Sequence, residues 1–214
     1  MKFSIETFWP NNIGRFINSD HNNIKKDILE YIDDYMKKND SKRGGENINL
    51  FESDYNIQKS ENESIKKLTK FMSQCFFQMA IHTNKKHYKN QDLNCIIKDM
   101  WFIKYKKGGF VLPHDHGKCS WCCVYYLQAG ANSDSNNGST YFYRPTRYPR
   151  EEKDFGSLYN YSTIKMPAEE GTMLVWPNYL LHGSMPYEGK LNRIIFSANA
   201  SVFEMNDKKQ NILS

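Results

Sequence analysis

Two histidines one residue apart, His114 and His116, follow Pro113. A third, His182, stands sixty-six residues beyond the second, and Arg193 follows eleven residues later. On an extended segment, side chains at i and i+2 point to one face, so His114 and His116 are placed to bind one ion together. A third imidazole arriving from a distant strand completes a facial set of three ligands. Such a set leaves positions open for a substrate and O2, the arrangement expected of a non-haem Fe(II) site. An arginine on the strand leaving the third histidine suits bidentate pairing with a carboxylate co-substrate.

A bare H-x-H is equally well two unrelated surface histidines in a polar turn, so its neighbours decide. His182 ends Trp176-Pro177-Asn178-Tyr179-Leu180-Leu181, a strand end and turn that would deliver a side chain to a barrel mouth. Arg193 precedes Ile194-Ile195-Phe196, an apolar strand on which an unpaired charge is costly unless it meets an anion. Tyr105 and Tyr126 fall on flanking strands. His21, His82 and His87 lack such company and read as structural or solvent-facing. Cys119-Ser120-Trp121-Cys122 has C-x-x-C form, which admits a zinc or redox site. No second C-x-x-C accompanies it, and packing cysteines at a β interior are the favoured account.

The elements that must position these residues follow from periodicity. Ile24, Ile28, Tyr31, Ile32 and Tyr35 recur at three- and four-residue spacing, which predicts an amphipathic helix over 22–38. Ser60-x-x-Glu63 has the form of a capping box ahead of a second helix over 61–83, whose Phe/Met stripe reads as a core seam. Residues 1–20 show no clear period, and 47–58 is ambiguous, with an extended segment the favoured form. From residue 95 the period falls to two: Trp101-x-Ile103-x-Tyr105, the apolar run 121–127, and strands near 140–143, 162–166, 172–176 and 193–202. Polar loops over 130–138 and 144–160 separate some of them. Seven or eight short strands with Gly, Pro and Asn turns and no helices between them argue for an all-β sandwich or jelly roll. The expectation is a single domain over 1–214, with 1–94 as a helical layer on one face and 95–203 as the β core.

The 214 residues carry 29 Lys+Arg against 24 Asp+Glu, a formal charge of only +5. The charges are spread out, which argues against nucleic acid as a partner. No apolar run approaches the ~20 residues of a membrane span. The first residues lack the charged-then-apolar order of a secretory signal. Five cysteines, an odd number, read as reduced thiols, so a cytoplasmic enzyme is expected.

The ordered motifs resemble a known family. Tyr105-x-x-Gly108-x-x-x-x-Pro113-His114-x-His116 is similar to the segment of prolyl-4-hydroxylase-like Fe(II)- and 2-oxoglutarate-dependent oxygenases that carries their first two iron ligands. Val124-Tyr125-Tyr126-Leu127-Gln128 resembles the strand whose second tyrosine hydrogen-bonds 2-oxoglutarate. Pro167-x-x-x-Gly171-x-x-Leu174-x-x-x-Pro177 with His182-Gly183 resembles the segment of the distal iron ligand. Arg193 with Ser197-Ala198-Asn199 resembles the closing strand. The resemblance covers about 96–203 and is closest to a branch with H-x-H in place of H-x-D. It implies a double-stranded β-helix (a cupin-like jelly roll), mainly β with N-terminal helices packed on one face. It further implies iron on His114, His116 and His182, and 2-oxoglutarate on Arg193 with Tyr126, Tyr105 and Asn199; on a strand, Cys122 and Val124 share the face of Tyr126, which puts them beside the co-substrate. The activity implied is hydroxylation of a C–H bond with O2, releasing succinate and CO2. The substrate, a small molecule or a protein side chain, would enter near the 130–160 loop with its arginines Arg144, Arg147 and Arg150.

His116 stands where the commoner pattern has a carboxylate, and Asp115, on a strand, would face away. A neutral imidazole there leaves the site one unit more positive, and imidazole suits Zn, Cu, Ni and Fe alike. Two alternatives therefore stay open: a three-His cupin-type dioxygenase independent of 2-oxoglutarate, and a non-enzymatic jelly-roll binding module.

Overall fold

The structure is a computed structural model that describes residues 11–42, 49–85, 92–130, 137–145 and 163–205. Two antiparallel sheets face each other. The larger has six strands in the order β1 (Gly14–Ile17), β8 (Thr172–Pro177), β5 (Trp121–Gln128), β10 (Arg193–Glu204), β3 (Leu93–Tyr105), β2 (Leu50–Glu52). The smaller has four, in the order β4 (Val111–His114), β9 (His182–Ser184), β6 (Thr140–Tyr143), β7 (Thr163–Met166). This is the expected double-stranded β-helix.

Strand alternation sorts the two faces of the large sheet. On β10, Ile194, Phe196, Ala198 and Ala200 belong to the core cluster shared with the helices, while Ile195 belongs to the cluster between the sheets. On β5, Cys123, Tyr125 and Leu127 join the helix side, and Cys122, Val124 and Tyr126 the inter-sheet side, as the alternation predicts. The helix side is covered by α1 (His21–Lys38) and α2 (Glu63–Thr83). Ile24, Ile28 and Ile32 of α1 and Leu68, Met72, Phe76 and Met79 of α2 are buried there, so the Phe/Met stripe is a core seam. Fully burying one such side chain is worth about 1.5–3 kcal/mol, which fixes this layer to the sheet.

Several sequence expectations need correction. Ser60 does not cap α2; the cap is Asn62, whose side chain accepts from the Ile65 amide at 2.9 Å, while Ser60 Oγ accepts from the Asn62 amide. Residues 1–94 are more than a helical layer, because they supply both edge strands of the large sheet. β1 was invisible to periodicity because its four residues alternate only between half-buried and exposed. From β3 onward eight strands form among the described residues, in line with the seven or eight expected there, and two short ones, β1 and β2, precede them. The expected loop arginines Arg147 and Arg150, the bulk of the 130–160 loop and His87 lie outside the described residues.

Candidate metal and co-substrate site

The three histidines meet between the sheets. His114 ends β4 and His182 opens β9, and the two are paired across the small sheet. His116 lies two residues past the end of β4, so the expectation that both residues of H-x-H sit on a strand is met only by His114. Asn178 secures His116 instead: its carbonyl accepts the His116 amide at 3.0 Å and its side-chain amide donates to the His116 carbonyl at 3.1 Å. Ring centroids are 4.4 Å apart for His114–His182, 5.0 Å for His114–His116 and 5.1 Å for His116–His182. One ring nitrogen from each lies within 4.8 Å of the others.

Their hydrogen bonds decide which nitrogens are free. His114 Nδ1 lies 2.8 Å from the Leu112 carbonyl, and His182 Nδ1 lies 2.8 Å from the Leu180 carbonyl. A carbonyl can only accept, so each Nδ1 carries the proton and each Nε2 lone pair faces the site. The Trp176 indole also approaches His182 Nδ1, at 3.2 Å; the shorter carbonyl bond prevails, and the indole acts as an edge-on wall. His116 Nε2 is 3.3 Å from His182 Nε2. Two nitrogens held by one cation at ~2.1 Å each lie roughly 3.0–3.4 Å apart, so this spacing fits a shared metal. Burial, aided by the charge of His114, holds His116 down at about 4 and His182 at about 3. Both are therefore neutral near pH 7 with lone pairs to give. The described donor set is three imidazoles with no carboxylate.

Arg193 is the second feature. It is 0 % exposed, and none of its three guanidinium nitrogens has a hydrogen-bond acceptor within the described structure. Its guanidinium carbon lies 4.7 Å from the centroid of the Tyr105 ring and 5.4 Å from that of Tyr126. Cation–π contact offsets part of the desolvation cost but supplies no anion. Gly138, at φ +63°, passes so close that a Cβ there would sit 3.1 Å from Arg193 Cδ, so the backbone itself closes over the side chain. A buried, unpaired guanidinium calls for an anionic ligand.

Both features open into one cavity of about 230 Å3, whose wall includes His114, His116, His182, Tyr105, Arg193 and Asn199. Val124 also reaches it. Tyr126 sits behind it, wholly buried, under the Arg193 guanidinium, with its hydroxyl 2.6 Å from Thr140 Oγ1. Cys122 is not on the cavity wall; its Sγ faces Cys119 at 3.7 Å. Asn199 is paired with Asp99 on one side and Cys122 on the other. Its amide donates to the Asp99 carboxylate at 3.2 Å, and it raises the basicity of His116. Sequence reasoning did not single out Asp99, Trp101 (stacked on His116 at 6.0 Å), Thr140, Glu52 or Tyr55. Alternation placed Trp101 on the face of Tyr105, but nothing in sequence placed Glu52, Tyr55 or Thr140 on the wall.

The double-stranded β-helix thus brings three convergent imidazoles, a group that could hold a metal ion, and a buried arginine into one cavity. Residues 99–199, just under half of the chain, match the family described as "Putative 2OG-Fe(II) oxygenase". Among solved structures the chain is similar to a prolyl-4-hydroxylase from Pseudomonas putida (13% identity, TM-score 0.60, covering 89% of this chain and 92% of that one). It is also similar to the viral collagen prolyl hydroxylase of Paramecium Bursaria Chlorella virus-1, solved with 2-oxoglutarate (18%, 0.53, 88% and 94%). A third is the Trichoplax adhaerens prolyl hydroxylase in complex with a hypoxia-inducible-factor peptide (15%, 0.57, 92% and 87%). At these identities the likeness speaks for the fold. No curated protein matches. No helix among the described residues is long and apolar enough to cross a membrane.

Proposed function

We propose that His114, His116 and His182 hold Fe(II) through their Nε2 atoms and that Arg193 receives the distal carboxylate of 2-oxoglutarate. The chain then hydroxylates a C–H bond of its substrate with release of succinate and CO2. The observation that carries this reading is the pairing, in one cavity, of three imidazoles with a fully buried guanidinium that has no acceptor among the described residues. The iron, when bound, supplies O2 activation coupled to decarboxylation of the co-substrate. The protein does the rest. Arg193 anchors the carboxylate, and Tyr105 and Tyr126 hold the guanidinium plane from its faces. Val124 lines the wall beside the co-substrate. Trp176 and Phe142 wall off His182, with ring centroids at 4.6 and 6.2 Å, which keeps water from that side and orients the ring.

Asn199 serves the metal side: it lies beside His116 and raises its basicity, and its buried side-chain oxygen, which has no donor among the described residues, suits it to fix the His116 tautomer. Cys122 belongs one layer behind the co-substrate. Residues 1–94 and 95–203 work as one unit, a reading supported by the edge strands that the first segment contributes to the sheet. Five free thiols suit a reducing compartment such as the cytoplasm.

The test is succinate formation from 2-oxoglutarate without added substrate. The wild type forms succinate in the presence of Fe(II), and His182→Ala abolishes it; unchanged turnover in that variant defeats the assignment. The all-imidazole donor set also admits a dioxygenase that does not use 2-oxoglutarate, and O2 consumption independent of added 2-oxoglutarate would select it.

A further inference from the structure

Cys119 and Cys122 are the one pair of thiols in the described structure whose sulfurs are in contact, with Sγ atoms 3.7 Å apart. They differ in setting. Cys122 is 1 % exposed and lies in β5, clamped between β10 and β8. Cys119 is half-buried in the short loop between His116 and β5, next to Lys118, whose φ of +28° marks a tight, strained turn. The Cys122 sulfur first, and then the ammonium of Lys98, which donates to the Lys118 carbonyl at 2.5 Å, favour a Cys119 thiolate against its partial burial. The neighbouring Cys119 sulfur and then burial press Cys122 the other way, towards the neutral thiol. One sulfur is thus accessible and beside a cation, and its partner is shielded in a strand. That division suits an attacking and a resolving thiol.

We infer that Cys119 and Cys122 form a reversible intramolecular disulfide on exposure to hydroperoxide, and that this bond loosens the metal centre. In the first step the Cys119 thiolate attacks one peroxide oxygen. An S–O bond forms, the O–O bond breaks, and hydroxide departs to be protonated to water. In the second step the Cys122 sulfur attacks the Cys119 sulfenic acid. The S–S bond forms, the S–O bond breaks, and the Cys122 proton leaves with the oxygen as a second water. Two thiols and one hydrogen peroxide become one disulfide and two waters.

The bond requires the sulfurs to close from 3.7 Å to about 2.05 Å. Cys122 is held on both sides by ladder hydrogen bonds, so the loop carrying Cys119 must move. That loop is short and tied: Ser120 donates to the Ala200 carbonyl and accepts from the Asn178 amide, and Asn178 holds both backbone groups of His116. A pull on Cys119 is therefore transmitted to His116. Cys122 also pairs with Asn199, the residue beside the His116 ring. The coupling to metal rests on the three-histidine reading; the disulfide does not.

The test treats full-length, metal-free protein with hydrogen peroxide, denatures it, alkylates it, and weighs the peptides. Three of five cysteines should take the label, with a loss of 2 Da across a peptide joining Cys119 and Cys122, reversed by dithiothreitol and absent in Cys119→Ser. Five labelled thiols, a bond to Cys123 instead, or irreversible sulfonic acid at Cys119 overturns the disulfide. Mn(II) binding to oxidised and reduced protein then tests the coupling. Oxidation should weaken it at least tenfold in the wild type and not in Cys119→Ser; equal affinities overturn the link. Failure of the oxygenase reading would show separately, as reduced protein that binds metal but makes no succinate.

Discussion

Arg193 and Tyr105 stand opposite each other across the β10–β3 ladder, with the guanidinium carbon 4.7 Å from the ring centroid. The arginine rests on an aromatic face, with no acceptor for its nitrogens in the described structure. It is a buried charge, which the proposed function assigns to the co-substrate.

Replacing Arg193 with Met should separate function from stability. Loss of a bidentate, charge-assisted contact of about 1.5–3 kcal/mol raises the 2-oxoglutarate KM some ten- to a hundredfold. The ligand-free variant should melt no lower than the wild type, because an uncompensated buried charge has been removed. Thermal denaturation with and without 2-oxoglutarate checks both. A variant that melts well below the wild type, yet still gains Tm from 2-oxoglutarate, would contradict the assignment.

His116→Asp tests the missing carboxylate. The imidazole and the carboxylate both offer one donor atom, and the anion makes the site one unit less positive, so Fe(II) and Mn(II) binding should survive and Zn(II) preference should fall. His116→Ala should cost at least tenfold in metal affinity. Competition titrations with the three ions give the answer, and loss of metal binding in the Asp variant would mean that the imidazole has a role besides ligation.

Asn199→Ala removes the group beside His116 and should weaken Mn(II) binding ten- to a hundredfold, the usual scale for a residue that orients a ligating histidine. Asp99→Asn, one step further away, should cost less. Nitrogen-15 NMR of His116 gives a readout that fold stability does not move: the wild-type ring should be a single tautomer with the proton on Nδ1, and the Ala variant a mixture.

His21 supplies a pH test away from the site. Its Nδ1 is 2.7 Å from the Tyr125 hydroxyl, and burial first, then Lys25, lowers its basicity against the opposing effect of Glu170. Gly171, at φ +74°, lies against it so closely that a Cβ would come within 3.1 Å of the ring. A folded-state value below the unfolded one means that the unfolded chain binds the extra proton. The contribution is present above an unfolded pKa of about 6.5 and is lost as pH falls below it. Between pH 7 and 5 the wild type should lose more unfolding free energy than His21→Asn, measured by urea titration; parallel losses would refute it.

The chemistry was more legible in the sequence than the geometry that delivers it. His114, His116, His182 and Arg193 were identifiable because rare residue types recur at fixed spacing on strands of clear period two. Cys122 was placed beside the co-substrate on the strength of its strand face, and the structure turns its sulfur towards Cys119 instead. Face alternation gives direction but not depth. Glu52 and Tyr55 reach the cavity wall only because β2 docks on β3, a long-range pairing without a local signal. β1 escaped for the same reason: an edge strand of four residues is defined by its partner, not by its own pattern. The helices were read almost to the residue, since their apolar stripes repeat over four or more turns.

The β3–β10 ladder slips by one residue between Asn199 and Ala200, where β3 passes from Asp99 to Ile97 and leaves Lys98 over. Before this bulge the odd-numbered side chains Cys95 and Ile97 pack towards the helices; after it Trp101, Ile103 and Tyr105 pack between the sheets. One unpaired residue thus inverts the strand, turning an outer brace into a wall of the chamber. The same residue, Lys98, sends its ammonium to the Cys119 loop. A deletion of that single position would restore a continuous ladder and rotate either the fastening of the helical layer or the floor of the chamber out of place. The irregularity is the hinge-pin on which one strand serves two interiors.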